Sequence, residues 1–390
     1  LIGRTFYGTS DLGAYGSYEN NPTYSWSDVQ TMEGQNNAIA ITYGTVKSAG
    51  QTISKFVSIA SDKEYLNWLI AAGEGPLTIS NVLVNDNPVE YYEGMTLETR
   101  EGVNNQPIIS NFNDTYFTKS LGYQLLETER IDSAQGNATE GIIAKVEFSS
   151  GLYYAEDNGS LGNAWVELQG LYRKKGETDW TQFIGERVNG SQSSALRREW
   201  RVDNLPSGEY EVKMKVIARS HEVTNSRASV RCYWSSVTSI VYDDFSYPNI
   251  ALVGIKALAT DQISGSPTVS FLKTREYVLV WNPYTEIYEQ KASDNPAWAC
   301  YDMIHMASQL YNVNTLLFEY EVRGVKKELM LYDQFKEWAD FCDSKNFKIN
   351  IEINQAGDML EVINQKIANV GRGMVVRFGT RYGRVWDCVK

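Results

Sequence analysis

Alternation of apolar and polar residues predicts β-strands along most of the chain. In EYEVKMKVIA (209–218) every second residue is apolar and most of the others are Glu or Lys, the pattern of a half-buried strand. Similar patterns predict strands at 38–53, 95–99, 142–148 and 164–173. Several short strands separated by turns such as Leu205-Pro206-Ser207-Gly208 favour a β-sandwich of about 100 residues.

One stretch, YPNIALVGIKALATDQISGSP (247–267), differs because its apolar residues are continuous. Such a run predicts a strand that is buried on both faces. Sandwich-like sequence precedes it and helical periodicity follows it, so we interpret it as the strand that returns the chain from an inserted domain to its host domain. The outgoing crossing is predicted near Ile142–Phe148, and the two strands should then lie close together.

The remainder of the chain combines strands and helices. We expect a strand at 269–279 and a loop crossing at 281–289. A first helix should begin at Pro296 with Asn295 as its cap. Its predicted buried face comprises Ala297, Tyr301, Ile304, Ser308 and Tyr311.

Two further helices and a hairpin are predicted near the end of the sequence. The second helix has Asp333 as its expected cap. Its apolar stripe comprises Phe335, Trp338, Ala339 and Cys342. A strand is expected at 347–353, a third helix at 359–370 ends at Gly371, and a hairpin turns through 381–383.

These patterns divide the chain into five parts. Residues 1–37 form an arm or loosely packed segment, 38–140 the first part of a host domain, and 141–246 an inserted sandwich. Residues 247–292 complete the host domain, and 293–390 form an α+β domain. The predicted fold class is therefore multidomain and β-rich α+β, with a host domain of β-barrel or α+β type interrupted by a β-sandwich.

Composition narrows the function classes. The chain has 390 residues and a formal net charge of -12, which argues against a nucleic-acid-binding surface because such surfaces need clustered Lys and Arg. The sequence contains no apolar run of membrane-spanning length. It begins with Leu1 rather than Met, so we expect it to start within a longer gene product.

Candidate chemistry is sparse. His221 and His305 have no visible catalytic partners, Asp243 and Asp244 are adjacent and unsuited to a glycosidase pair, and the loop at 157–159 lacks the spaced carboxylates of a calcium site. The four Cys form no CxxC pair. We therefore predict no catalytic residue, no metal, no cofactor and no enzymatic activity; ligand-binding residues are unassigned.

Five phrases of the sequence, in this order, resemble the tip attachment protein J (host specificity protein J) family of long-tailed phages. They are ITYGTVKSAGQTI (41–53), GEGPLTISNVLVNDNPV (73–89), the segment from YWSSVTSIVYDDFSYPNIALVG onwards (233–266), SDNPAWACYDMI (293–304) and YDQFKEWADFCD (332–343). The resemblance covers residues 38–390. The sequence departs from the family around Thr315–Leu331, which leaves the local contacts there open.

The resemblance implies a fibronectin type III-like insert within a hub domain. It also implies a structural role at the tip of a phage or prophage tail, where a homotrimeric, baseplate-hub-like assembly closes the tail tube and carries the host-recognition region. Expected partners are other tail-tip, tail-tube and tape-measure proteins, with the host receptor contacted by a C-terminal part absent here. The expected location is the virion tail tip, after synthesis in the bacterial host cytoplasm.

A second function remains open at this stage. The insert could instead bind a glycan or a protein on the host surface, and Trp165, Trp180, Trp200 and Trp234 could stack on sugars. Such Trp residues more often belong to a core or an interface.

Overall fold

The structure is a computed structural model that describes residues 32–33, 38–60, 63–110, 112, 114–242, 245–260, 262–263, 267–312, 317–354 and 357–386. The predicted arm at 1–37 lies outside these residues except for Met32 and Glu33. Within the described ranges, no helix is long and apolar enough to cross a membrane.

The described residues before position 114 supply seven strands. They are β1 (Met32–Glu33), β2 (Ile41–Ser48), β3 (Gln51–Ala60), β4 (Lys63–Glu74), β5 (Thr78–Val84), β6 (Asn87–Pro88) and β7 (Met95–Arg100). A single 3₁₀ turn at Val89–Tyr91 follows β6. The predicted strands at 38–53 and 95–99 are confirmed, the first of them as two successive strands, β2 and β3, that belong to different sheets.

The next part supplies eleven strands. They are β8 (Asp114–Gln124), β9 (Arg130–Ser133), β10 (Gly141–Phe148), β11 (Tyr153–Ala155), β12 (Leu161–Gly162), β13 (Ala164–Lys174), β14 (Thr181–Gly190), β15 (Leu196–Val202), β16 (Tyr210–Arg219), β17 (Ala228–Ser229) and β18 (Tyr233–Tyr242). Eight of them form two antiparallel sheets, β15-β10-β18-β8 and β14-β13-β16-β9. We call residues 114–242 the insert.

The inward residues of β16 are the predicted ones: Tyr210, Val212, Met214 and Val216 are buried. They share one core with Val146 and Phe148 of β10 and with Trp234 of β18. The insert is therefore a sandwich, and it takes in β8 and β9, two strands that precede residue 141, the predicted start of the inserted domain.

After the insert, β19 (Ile250–Leu258), β20 (Val269–Arg275), β21 (Tyr277–Asn282) and β22 (Ile287–Ala292) follow. β19 lies between β4 and β7 in the sheet β1-β3-β4-β19-β7. Val253 and Ile255 pack into the core shared with β4, β5 and β20, whereas Leu252 joins a second cluster with Ile109 and Phe112. The predicted burial of this strand on both faces is confirmed.

The chain crosses between host and insert at a different place from the predicted one. Ile142–Phe148 is wrong as the outgoing crossing, because β10 lies inside the insert between β15 and β18. The chain leaves instead after β7 through the segment 101–113. Since β7 pairs with β19 and β8 pairs with β18, the outgoing and returning segments run side by side.

A second five-stranded sheet, β25-β2-β20-β5-β6, completes the host. Its strand β25 (Ile351–Ile353) comes from far along the chain. In the described residues these two sheets are open, so the predicted β-barrel form of the host domain is wrong. We call the two sheets together the host sandwich.

Strand β2 changes partners at Gly44. Its residues before Gly44 pair with β25 and those from Gly44 onwards pair with β20. Gly44 has φ +70°, and a Cβ there would lie 2.3 Å from the carbonyl oxygen of Ile349. Only glycine fits this kink, which agrees with the predicted distortion of the strand.

Within its described residues, the carboxyl-terminal domain has three helices and two hairpins. Its elements are α1 (Pro296–His305), β23 (Ala307–Asn312), β24 (Leu317–Val322), α2 (Tyr332–Ser344), β25, α3 (Met359–Ile363), β26 (Gly373–Phe378) and β27 (Arg381–Trp386). A 3₁₀ turn at Lys327–Leu329 precedes α2, and a π-helical turn at Asn364–Ala368 extends α3. The predicted apolar stripe of α2 is buried, and it packs on α1.

Some local predictions for this domain are confirmed and others are wrong. Asn295 caps α1 by accepting a hydrogen bond from the Ala297 N–H. The helix ends at His305 because Met306 adopts a left-handed conformation, so Ser308 and Tyr311 belong to β23 rather than to a helical face.

Three further predictions need correction. Asp333 lies inside the first turn of α2 rather than at its cap. The sequence 281–289 is part of the β21–β22 hairpin rather than a loop crossing. The strand expected at 269–279 breaks into β20 and β21.

Candidate functional site

The four Trp residues that were candidates for sugar binding all make contacts within the protein. The Arg187 guanidinium lies 3.8 Å from the ring centroid of Trp165, and Trp180 lies beneath both Arg173 and Lys213. Trp200 donates a 2.7 Å hydrogen bond to Glu186, and Trp234 is fully buried. Cation–π contacts of this kind stabilise the sheet surface but cover the ring faces that a sugar would need.

Both histidines are held by hydrogen bonds or by stacking. His221 lies 4.5 Å from the ring of Tyr154 in a stacked arrangement. His305 is fully buried, with Nδ1 2.6 Å from the Val325 carbonyl oxygen and Nε2 3.0 Å from the Tyr288 hydroxyl. A carbonyl accepts only, so Nδ1 carries the proton and Nε2 accepts from Tyr288. Burial lowers the pKa of His305.

The other candidates for chemistry also have structural surroundings. Asp157 pairs with Arg227 at 2.9 Å, and Asn158 accepts from the Ser160 N–H within the same turn. Asp243 and Asp244 lie outside the described residues. Among the described residues no cluster of His, Cys, Asp or Glu could hold a metal ion.

A buried polar cluster links the host sandwich to α1. Tyr43 of β2 donates a 2.9 Å hydrogen bond to Asp302, and Arg275 of β20 lies 3.5 Å from the same carboxylate oxygen. Burial raises the pKa of Asp302, while the neighbouring Arg275 opposes that rise. Removal of one partner would leave a buried charge without compensation, so this cluster fixes the position of α1 on the host.

Lys273 forms a second buried connection. Its side chain is fully buried, and its Nζ lies 3.0 Å from Glu352 of β25 and 2.5 Å from the Ala72 carbonyl oxygen. Burial lowers the pKa of this amine. One charged group thus joins β4, β20 and β25, which belong to three separate stretches of the sequence.

A cleft lies between the insert and the host sandwich. This interdomain cleft has a volume of about 790 Å³. The host contributes residues of β3, β4 and β19, and the insert contributes β8, β10, β15 and β18. Its lining includes Ser54, Phe56, Ser58, Asn67, Tyr116, Phe117, Thr118, Lys145, Glu199, Arg201, Thr238 and Phe245.

Charged contacts hold one side of the interdomain cleft together. Lys145 of the insert donates a 2.8 Å hydrogen bond to the Val57 carbonyl oxygen of the host and lies 3.1 Å from Glu199. Arg197 pairs with Glu64 of β4 at 2.8 Å. Because Glu64 is largely shielded from water, this pair is screened less than a surface ion pair.

Aromatic packing and a glutamine side chain hold the side where the chain crosses. Phe56 of the host lies 5.3 Å from Tyr116 and 5.9 Å from Phe112, measured between ring centroids. The Gln106 amide donates to the carbonyl oxygens of Ser246, Tyr247 and Ile250 at 2.8–3.0 Å. This side chain binds the outgoing segment to the returning one.

Sequence reasoning missed the interdomain cleft and the cluster around Asp302. The sequence pattern that could have indicated the cleft was weak. Arg197, Glu199 and Arg201 alternate along one strand, which predicts a polar face but not the residues that lie opposite it. Contacts between residues separated by more than a hundred positions cannot be read from local periodicity.

Comparison with known proteins finds two sequence matches to the same kind of protein. Residues 117–243 match the family described as the FNIII-A domain of tip attachment protein J. The tip attachment protein J of Escherichia phage SECphi27 is 24% identical over 235 residues, which cover 57% of this chain and 19% of that protein. The matched part of this chain therefore spans about one fifth of the length of that relative.

Solved structures resemble this chain only weakly. The T13 viral particle of infectious bursal disease virus aligns with 73% of this chain and 87% of its own chain, at 8% identity and a TM-score of 0.22. The VP2 subviral particle of the same virus aligns with 66% of this chain and 84% of its own, at 9% identity and a TM-score of 0.19. Such low scores carry no argument about fold or function. On the two sequence matches, the chain is similar to tip attachment protein J, and its insert matches the FNIII-A domain of that family.

Proposed function

We propose that this chain is a structural component of a phage or prophage tail tip. Three copies form a central hub that closes the tail tube and carries the distal host-recognition region. The observation that carries the proposal is the match of residues 117–243 to the FNIII-A domain of tip attachment protein J. The protein then resides in the virion tail tip after synthesis in the host cytoplasm, beside tail-tube and tape-measure proteins.

The way the insert is attached supports a structural role. The two crossing segments run together and are held by Gln106, so the insert extends from one place on the host sandwich. The host is in turn connected to the carboxyl-terminal domain through Lys273–Glu352 and Tyr43–Asp302. Buried contacts therefore connect all three parts of the chain, which suits a structural subunit.

We further propose that the chain is not an enzyme. The buried ionisable groups Asp302, Arg275 and Lys273 make contacts within the protein, and each lies where two or three elements meet. Contacts between structural elements therefore account for the burial of these three charged groups. Incubation with purified cell wall should release no fragments.

The alternative function, recognition of a host glycan or protein by the insert, gains nothing from the four Trp residues. Their rings are covered by cations, hydrogen-bonded or buried. Any such binding would need a different surface of the insert.

A density map of the assembled tail tip tests the proposed function. Three copies around the tail axis, with the host sandwiches in the ring and the inserts outside it, are the expected result. Light scattering of the purified chain gives a second measurement, with a mass near three times 44.1 kDa expected at high concentration. A map with this protein away from the axis, or in another copy number, would overturn the proposal.

A further inference from the structure

Besides the interdomain cleft, the structure has a cavity where the host sandwich meets the β21–β22 hairpin and β23. We call this cavity the edge slot. It has a volume of about 370 Å³ and is lined by residues 75–78, 101–105, 249, 274–279 and 307–309. We propose that the edge slot binds a short, extended, basic segment of another polypeptide, which adds as a strand to β21. The proposal does not depend on the proposed hub function.

Strand β21 is paired on one side. In the described residues it pairs with β22 and β23 pairs with β24, although both β21 and β23 line the edge slot. Outside the β21–β22 ladder, Tyr277, Val278 and Leu279 make no hydrogen bond in the described part of the chain. An unpaired strand edge presents N–H and C=O groups that another strand can join.

Main-chain groups of β21 in the wall of the edge slot need partners. Residues of an antiparallel strand direct their N–H and C=O groups alternately towards the paired strand and away from it. At least one of the three residues 277–279 therefore directs both groups to the free edge. Val278 is 1% exposed and Leu279 is 6% exposed, and main-chain groups without partners are costly where water is excluded. An added strand supplies such partners.

Apolar side chains also line the edge slot. Leu77, Leu279 and Ala307 are buried there. Because the side chains of a strand alternate between its two faces, an added strand presents every second side chain to one face. In strand addition, main-chain hydrogen bonds supply affinity and contacts of alternate side chains supply specificity. The buried apolar lining therefore favours a segment with apolar residues at alternate positions.

The charge available to a ligand in the edge slot is negative. Glu101 and Glu276 line the slot and are exposed, and neither forms an ion pair among the described residues. Glu276 makes a long 3.5 Å contact with the Thr78 hydroxyl. The cation in the lining, Arg275, is buried and lies 3.5 Å from the Asp302 carboxylate. A segment that carries Lys or Arg complements the two free carboxylates.

Three carboxamide side chains of the slot lining are available to a ligand. Asn104, Asn249 and Gln309 make no side-chain hydrogen bond within the described parts of the chain. A carboxamide both donates and accepts, as a peptide group does, so it can pair with the main chain of an incoming segment. The interdomain cleft offers less, since its Asn67 amide already donates to Ser58.

The test begins with a displayed library of random heptapeptides, selected on the full chain. Enriched peptides should carry apolar residues at alternate positions with Lys or Arg between them. Calorimetry then compares the best synthetic peptide with two copies of it, N-methylated at alternate main-chain amides in the two registers. Since one register of N–H groups faces β21, one copy should bind about tenfold more weakly than the other.

Substitutions in the chain locate the binding site. Glu101→Gln and Glu276→Gln should each weaken binding about threefold at low salt, and less at high salt because of screening. Glu222→Gln is the matched control, since Glu222 is an exposed residue of the insert outside the slot, and it should leave binding unchanged. Gln309→Trp fills the slot and should abolish binding while the melting temperature stays near that of the parent.

A further variant covers the case in which Gln309→Trp fails to fold. The double variant Glu101→Lys and Glu276→Lys changes only exposed residues, and it should abolish the binding of basic peptides. The proposal is overturned if the library yields no binder, if the two N-methylated copies bind equally well, or if acidic peptides bind better than basic ones. Binding that survives the folded slot variants also overturns it.

Peptides copied from residues 1–31 and 313–316 of the chain itself test a different occupant. Tighter binding of one of them than of any library peptide would assign the slot to the chain's own segment and overturn the proposal. These results do not bear on the number of copies in a map of the tail tip, so a failure of the hub function is recognised separately.

Discussion

The insert and the host sandwich have the same general architecture, yet they are assembled from the chain in opposite ways. All eight strands of the two main insert sheets come from the continuous stretch 114–242. The host sandwich combines strands from 32–100 and 250–275 with β25 at 351–353. Sheets of similar architecture can therefore differ greatly in how far apart in sequence their paired strands lie.

This difference has consequences for folding. In the insert, β13 pairs with β14, its immediate neighbour in the chain. In the host, Ile41 pairs with Ile353 across more than 300 residues. Loop closure must precede such distant contacts, so the host should form later and depend on more of the chain than the insert does.

The largest expected effect comes from a chain that ends after Tyr242. It lacks β19, the strand between β4 and β7, so the host sandwich should fail to form while the insert folds. Limited proteolysis with mass spectrometry should recover a fragment that spans about 114–242. The matched variant replaces 114–242 with a short Gly/Ser linker, and its host should fold because β7 and β19 lie side by side. A protected fragment from 41–100 in the truncated chain would contradict this difference.

Two matched core substitutions separate the sandwiches. Phe148 and Phe271 are both fully buried, one in the insert and one in the host. Phe148→Ala and Phe271→Ala should each cost about 3–5 kcal/mol of unfolding free energy, each in the transition of its own sandwich. Calorimetry resolves the two transitions. Tyr91→Ala, at a side chain that is mostly exposed, serves as the control and should stay within about 0.5 kcal/mol.

A smaller effect is expected at the connection between the sandwiches. Gln106→Ala leaves the carbonyl oxygens of Ser246, Tyr247 and Ile250 without this donor. The loss should be about 1–3 kcal/mol, with faster hydrogen exchange at 246–250 and little change inside the insert. Asn105→Ala tests an exposed neighbour in the same segment. Equal exchange in the two variants would show that Gln106 does not hold the crossing together.

The smallest expected effect is a pH dependence from the carboxyl-terminal domain. Burial lowers the folded-state pKa of His305 below its unfolded value of about 6.5. The unfolded state then binds more protons than the folded state does. The stability that the neutral, buried His305 contributes is therefore fully present above about pH 6.5 and is lost as the pH falls towards the lowered pKa. The melting temperature of the parent should fall more between pH 7 and pH 5.5 than that of His305→Gln. Parallel curves would contradict a titrating His305.

Local patterns predicted much of this molecule because they depend on neighbours in sequence. The alternation in 209–218 identified the inward side of β16, and Asn295 followed by Pro296 identified the start of α1. The end of α1 was missed because the left-handed Met306 carries no glycine signal. Asp333 was misassigned as a cap because it lies one residue inside the helix, where its carboxylate instead accepts from Tyr284.

The sequence predicted the candidate sites less well than it predicted the strands. Asp302, Tyr43 and Arg275 come from three distant elements, and each alone resembles an ordinary polar residue. The interdomain cleft lies between β3 and β4 of the host and strands of the insert. The outgoing crossing was predicted near Ile142–Phe148, the strand at which the inserted domain was expected to begin. In the structure it is an internal strand of the insert.

By itself, the sequence determined many of the segments that form strands, their apolar faces, and the resemblance to the tip attachment protein J family. These properties follow from side-chain periodicity and from the order of short phrases. Only the tertiary structure decided that β25 completes the host sandwich, that Arg187 covers Trp165, and that a cleft separates the two sandwiches. Pairing partners distant in sequence are chosen by the burial and charge balance of the whole fold, which no local pattern contains.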